Sequence, residues 1–93
     1  MTTTSNLFIK DPNAALDFGF DWSQWLDSGE VISTYVLSVD SGLTKISDMN
    51  TSGSVIVWLS SGSPGYRYNV ACKITTSSGR IDERTIKIDV KNR

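Results

Sequence analysis

Residues 66–76 read Tyr-Arg-Tyr-Asn-Val-Ala-Cys-Lys-Ile-Thr-Thr, a run in which apolar and polar side chains alternate. Because successive side chains of a β-strand point to opposite faces, the alternation predicts a strand with one face in a core. Its inward set would be Tyr66, Tyr68, Val70, Cys72 and Ile74. Thr76–Gly79 follows as a predicted hairpin turn into a last strand, residues 80–90.

Five further strands are predicted upstream of this hairpin. They cover residues 7–10, 15–20, 31–39, 43–47 and 54–60, with the 43–47 strand at a sheet edge. Seven short strands at this regular spacing are typical of an antiparallel sandwich. The chain of 93 residues is long enough for one domain. We therefore expect a flexible arm at residues 1–6 and a single β-sandwich domain at residues 7–93.

A short helical turn is predicted near residues 22–28. Asp21 is a suitable N-cap, Gln24 has capping-box spacing, and Gly29 is a suitable stop. Trp22, Trp25 and Leu26 would then share one face. Two interpretations of the tryptophans, and of Trp58, stay open: packing in or over the core, or exposed anchors for a partner.

The alternation also predicts the core. Ile81 is out of phase with Ile86 and Ile88, so a bulge is expected between them. The expected core consists of Leu16, Phe18, Trp22, Val31, Tyr35, Leu37, Val57, Tyr68, Val70, Cys72, Ile86 and Ile88.

Composition excludes several classes of function. The chain has no His, a single Cys and a net charge of −1 from nine basic and ten acidic residues. The serines therefore have no imidazole base, and no dense basic patch favours nucleic acid. Asp40 and Asp48 do not lie in a calcium-ligand run. We expect no enzymatic activity, no cofactor, no metal and no nucleic-acid partner, and Cys72 is expected to be a buried, unreactive thiol.

The N-terminal residues Met1–Asn6 are polar and lack the apolar region of a signal peptide. No apolar run reaches the length of a transmembrane helix. We expect no contact with a membrane and synthesis in a reducing cytoplasm.

The segment Tyr68–Cys72 resembles the corner tyrosine and core positions of immunoglobulin-like folds. The paired cysteines of antibody domains are missing, since Cys72 has no second cysteine to bond. The likeness is therefore to the wider immunoglobulin-like class, nearer to fibronectin-type or polycystic-kidney-disease-type domains.

Longer blocks carry a more specific resemblance. They are residues 10–14, 16–18, 20–26 and 29–32, followed by residues 72–80 and 82–86. In this order they resemble a family of small virion structural proteins of tailed bacteriophages, the fiber–tail adaptor proteins. The resemblance implies a single immunoglobulin-like domain and a non-enzymatic building block of the neck, tail or attached fibers. It also implies location in the virion after synthesis in the host cytoplasm, and a symmetric multimer there.

Such a protein would work by docking onto other virion proteins: an adaptor, portal, tail or fiber protein. The expected interface combines the N-terminal arm, residues 1–10, with the block from Asp11 to Leu26. Its candidate residues are Leu7, Phe8, Asp11, Pro12, Asp21, Trp22, Trp25 and Leu26. Two alternatives remain: a decoration protein that docks on the major capsid protein, and a carbohydrate-binding module for host attachment.

Overall fold

The computed structural model describes residues 6–92 and shows a sandwich of two β-sheets within them. The strands are β1 (Asn6–Lys10), β2 (Leu16–Asp21), β3 (Ile32–Val39), β4 (Leu43–Asn50), β5 (Ser54–Ser61), β6 (Arg67–Thr76) and β7 (Ile81–Val90). One sheet has the order β1-β7-β6-β3 and the other has the order β2-β5-β4. The predicted seven-stranded sandwich is confirmed. No helix in the described residues is long and apolar enough to cross a membrane.

The strand order can be compared with that of constant-type immunoglobulin domains, from which it differs in one strand. Taken in chain order, the third, sixth and seventh strands form one sheet and the second, fifth and fourth strands form the other, as in constant-type domains. The first strand leaves the second sheet and pairs with β7 in parallel, with Asn6 beside Ile86 and Lys10 beside Val90. Every other pairing is antiparallel.

A tyrosine corner links the two sheets, as the Tyr68–Cys72 pattern predicts. The Tyr68 hydroxyl accepts a hydrogen bond from the backbone N–H of Ser63 at 2.9 Å, in the connection from β5 to β6. Close packing at this corner requires glycine. A Cβ at Gly42 would lie 2.6 Å from Cε1 of Tyr68, and a Cβ at Gly62 would lie 2.7 Å from Cγ2 of Val90, both at positive φ. Tyr66 precedes β6 and is exposed, so its predicted inward position is wrong.

The core lies between the sheets and contains most of the predicted residues. Phe18, Trp22, Val57, Tyr68, Val70, Cys72, Ile86 and Ile88 are buried, and Tyr35 and Leu37 pack against them. The predicted core positions of Leu16 and Val31 are wrong, because these side chains are 40% and 39% exposed. Leu16 is the first residue of β2, at the end of an edge strand. Val31 precedes a register shift between Ile32 and Thr34. Because of this shift, Ile32 points inward and Val31 points outward.

The predicted bulge in β7 is absent. Residues 81–89 pair with residues 67–75 without any register shift. Ile81 is 60% exposed on the outer face, and the neighbouring Asp82 points into the core. The irregularity lies in β4 instead, between Lys45 and Ser47, and β4 is an edge strand as predicted.

The predicted helix at residues 22–28 is also wrong. The N–H groups of Trp25 and Leu26 both bond to the carbonyl of Trp22, at 2.8 and 3.0 Å, and form a single turn. The next N–H, that of Asp27, donates to the Glu30 carboxylate at 2.9 Å. Because a helix gains stability only after a costly first turn, this diverted donor ends it before it propagates.

Candidate protein interface

The two candidate residues on β1 face opposite ways. Leu7 is exposed on the outer face, beside Lys87 of β7. Phe8 points inward, and its ring meets the Phe18 ring edge-on at a centroid distance of 5.4 Å. Leu7 is therefore available to a partner, and Phe8 closes the open side of the sandwich between β1 and β2.

Asp11 and Pro12 form a turn at the end where β1 and β7 finish. The Asp11 carboxylate accepts from the N–H of Asn13 at 2.8 Å, and its carbonyl accepts from the N–H of Ala14 at 3.0 Å. A side chain that bonds its own backbone two residues on is the usual way in which Asp holds a turn. Both Asp11 and Pro12 are half-buried.

A buried lysine ties this turn to the second sheet. Lys10 is fully buried, and its Nζ donates to the carbonyls of Asp11 at 2.9 Å and Ser61 at 2.6 Å. Burial lowers the pKa of Lys10, and the negative charge of Asp11 opposes this shift. Ser61 has a positive φ of 69°, uncommon for a residue with a side chain. The end of β5 and the Asp11 turn are thus held together through one side chain.

Asp21 caps the turn at the opposite end. Its Oδ1 accepts from the N–H of Ser23 at 2.8 Å and from the Ser54 hydroxyl at 3.3 Å. The bond from the Ser23 N–H is the main reason why the pKa of Asp21 is lowered. The predicted capping role is present although the helix is not.

Trp22 is a core residue. Its side chain is fully buried, and Nε1 donates to Oδ2 of Asp82 at 2.9 Å. The guanidinium of Arg84 lies 4.9 Å from the Trp22 ring and also donates to the Asp21 carbonyl. Trp22 therefore supports the turn from within and does not reach the surface of the domain.

Trp25 and Leu26 are half-buried and pack on the edge of the core. The guanidinium of Arg80 lies 4.0 Å from the Trp25 ring centroid, and Nη2 of Arg80 donates to the Trp25 carbonyl at 3.2 Å. This cation–π contact covers one face of the indole. The uncovered parts of Trp25 and Leu26 are the exposed apolar surface of this turn.

A buried glutamate that the sequence analysis missed organises this end. Glu30 accepts hydrogen bonds from the hydroxyls of Thr76 at 2.5 Å and Ser78, from Arg80 at 2.5 and 3.0 Å, and from the N–H of Asp27. These donors, Arg80 first, hold the pKa of Glu30 well below its ordinary value. Its side-chain donors, at the end of β6 and in the turn before β7, lie 46 to 50 residues away, so no local pattern marks it.

The candidate residues thus form two surfaces at opposite ends of the sandwich. Leu7, Asp11 and Pro12 lie toward the end where β7 finishes. Asp21, Trp25 and Leu26 lie at the end where β7 begins. The ten residues of β7 separate these ends by about 30 Å. The structure therefore does not bring them together into a single patch.

A shallow groove of about 220 Å³ opens near the first end, lined by Gly65, Tyr66, Arg67, Asp89, Val90 and Lys91. Two of its lining residues form an ion pair with two hydrogen bonds: Nε of Arg67 donates to Oδ1 of Asp89 at 2.6 Å, and Nη2 donates to Oδ2 at 3.1 Å. This pair lowers the pKa of Asp89. In residues 6–92 there is no cluster of three or more metal-ligating side chains.

Comparison with known proteins adds one positive finding. A family model described as "Podophage GP4 fiber-tail adaptor protein gp77" matches residues 10–89. This match leaves out only the first nine and the last four of the 93 residues. A search of curated proteins finds no match.

Proposed function

Because the chain belongs to the podophage fiber–tail adaptor family, we propose that it is a non-enzymatic adaptor at the neck or tail that helps to attach the fibers. The observation that carries the proposal is the family match over residues 10–89, which covers β2 to β6 in full, the last residue of β1 and all but the last residue of β7. Its partners are other virion proteins of the tail, portal or fibers. Its copies follow the rotational symmetry of the particle.

The chemistry of the chain supports an assembly role. The only thiol, Cys72, is fully buried, and this burial raises its pKa to about 12. A catalytic thiol needs the opposite shift, toward the thiolate. A reduced, buried thiol also agrees with synthesis in the host cytoplasm before assembly.

The two end surfaces are the proposed contacts. Leu7, Asp11 and Pro12 contribute at one end, together with the arm that precedes β1. Asp21, Trp25 and Leu26 contribute at the other end, with Phe8 and Trp22 supporting them from inside the domain. Residues 1–5 of the arm lie outside the described residues, and Asn6 already belongs to β1. Two contact surfaces on one rigid sandwich suit a protein that joins two components.

Quantitative mass spectrometry of purified particles tests the proposal. An adaptor is expected in tens of copies or fewer relative to the portal protein. A capsid decoration protein would be present in hundreds of copies, and a carbohydrate-binding module would bind glycans on an array with quenching of its tryptophan fluorescence. Absence of the protein from purified particles would overturn the assignment to the virion.

A further inference from the structure

The outer face of the β2-β5-β4 sheet carries an apolar patch that the core does not use. Antiparallel partners share a face, so Gly19, Ile56 and Met49 form one row across the three strands. Asp17, Trp58 and Ser47 form the next row. Ile46, in the bulge opposite Trp58, is 55% exposed, and Met49 is 46% exposed.

Gly19 leaves a gap between the side chains of this face, which we call the depression. A Cβ built there would meet no atom within 4 Å, and Gly19 is not among the residues with positive φ. Neither backbone conformation nor internal packing therefore requires glycine at this position. A glycine in a strand interior often marks a place where another molecule approaches closely.

Two carboxylates flank the depression along β2. Asp17 and Asp21 lie on the same face as Gly19, each two residues away. No described residue donates to Asp17 or forms an ion pair with it, whereas Asp21 accepts from Ser23 and Ser54 and lies within the influence of the Arg84 charge. The depression thus has acidic ends and an apolar wall formed by Ile56 and Trp58.

We propose that this outer face, centred on Gly19 and Trp58, docks another virion protein through an Arg or Lys side chain that enters the depression. The aliphatic stem lies against Ile56 and Trp58, and the cationic head lies between Asp17 and Asp21. This inference rests on the proposed function, and it refines the predicted block 11–26 to the outward residues of β2.

Charge argues for a different protein as the occupant and against a second copy of this chain. The outward residues of the three strands include two aspartates and no basic residue. The nearby Lys45 belongs to the β4 edge, where Asp48 neutralises it at 2.6 Å. Arg84 donates to the Asp21 carbonyl and offsets the charge of that residue, but Asp17 has no ion-pair partner among the described residues. Two copies packed through this face would therefore bring together acidic groups that no outward basic residue of the three strands balances.

Substitution of Gly19→Val tests the depression. Valine favours strands, and a Cβ at this position would meet no atom within 4 Å, so the melting temperature is expected to be retained. The added side chain blocks the partner, and the copies per particle should fall at least about tenfold when the variant complements a phage that lacks the gene. Ser38→Val, on the exposed outer face of the other sheet, is the matched control and should assemble normally.

Charge reversal tests the carboxylate. Asp17→Lys should lower incorporation, whereas Glu83→Lys, with the same change in net charge on the other sheet, should not. If wild-type protein enters particles and both Gly19→Val and Asp17→Lys enter equally well, the docking face is wrong and the adaptor function stands. If the wild-type protein is absent from particles, the docking face and the adaptor function are both wrong.

A photo-crosslinking residue at Met49 identifies the occupant. In assembled particles, Met49→p-benzoylphenylalanine should crosslink to a different virion protein, in a peptide that contains Arg or Lys. A crosslink to a second copy of this chain would overturn the proposed occupant. Lack of any crosslink in particles of normal composition would also contradict it.

Discussion

Trp22 lies in the core and Trp58 lies on the outer face of a sheet, so substitution of each should change the free energy of unfolding by different amounts. Trp22→Phe removes the N–H that bonds Asp82 at 2.9 Å and leaves that buried carboxylate with Arg84 at 3.6 Å as its remaining contact. We expect a loss of about 1–3 kcal/mol in the free energy of unfolding. Trp58 is half-buried on the outer face of its sheet and has no buried carboxylate to satisfy, so Trp58→Phe should cost about 1 kcal/mol or less. Urea denaturation measures both, and equal losses would contradict the assigned positions.

The environment of Glu30 predicts how the free energy of unfolding depends on pH. Its pKa is depressed in the folded state, chiefly by Arg80, so its contribution is present above the unfolded value of about 4.3. That contribution is lost as the pH falls below this value toward the folded pKa. Thermal melts between pH 7 and pH 2 should therefore show a loss of stability below about pH 4.3.

The matched variants for this pH dependence are Glu30→Gln and Glu83→Gln. Glu30→Gln should melt lower at pH 7 and depend less on pH in the acid range, because its side chain has no charge to lose. Glu83 is exposed on the outer face, and its substitution should leave the wild-type profile. If Glu30→Gln kept the full acid dependence of the wild type, the role of Glu30 would be refuted.

Among the structural elements, the β5–β6 corner offers the sharpest test. Tyr68→Phe removes the acceptor for the Ser63 N–H while it keeps the buried ring. We expect a loss of about 0.5–1.5 kcal/mol, the usual net contribution of one hydrogen bond, because water can reach the exposed Ser63. Tyr66→Phe changes an exposed residue two positions earlier and should stay within about 0.5 kcal/mol. Similar unfolding midpoints for the two variants would show that the corner does not stabilise the fold.

Strand alternation predicted all seven strands, because the period of two reflects which side chains leave water. Strand alternation gave wrong inward and outward positions where the period of two is interrupted. The register shift between Ile32 and Thr34 reverses the phase of β3, so Val31 is exposed. In β7 the outward Ile81 suggested a bulge, whereas Asp82 simply points inward to Trp22.

The candidate interface was harder to predict than the strands. Asp82 and Trp22 are 60 residues apart, and Glu30 lies 50 residues from Arg80. Such pairs form only when the sheets close, so no spacing in the sequence indicates them. The separation of Asp11 from Asp21 has the same origin: both lie in one block of sequence, but the extended strand β2 runs between them.

At the scale of the whole molecule, shape and surface agree with a linking role. The sandwich measures 42 × 24 × 19 Å, and its two proposed contact surfaces lie at opposite ends of the long axis. The apolar patch around Trp58 lies on a broad face between them. An elongated, rigid body with separate contacts can hold two neighbours at a defined distance.

A cryo-electron-microscopy map of the intact podophage particle tests the central claim most directly. The account predicts density for this seven-stranded sandwich between the tail and the fibers, repeated by the symmetry of the tail. There, the outer face of the β2-β5-β4 sheet should contact a basic side chain of another virion protein. Density for the domain on the capsid shell in hundreds of copies, or its absence from the particle, would contradict the account.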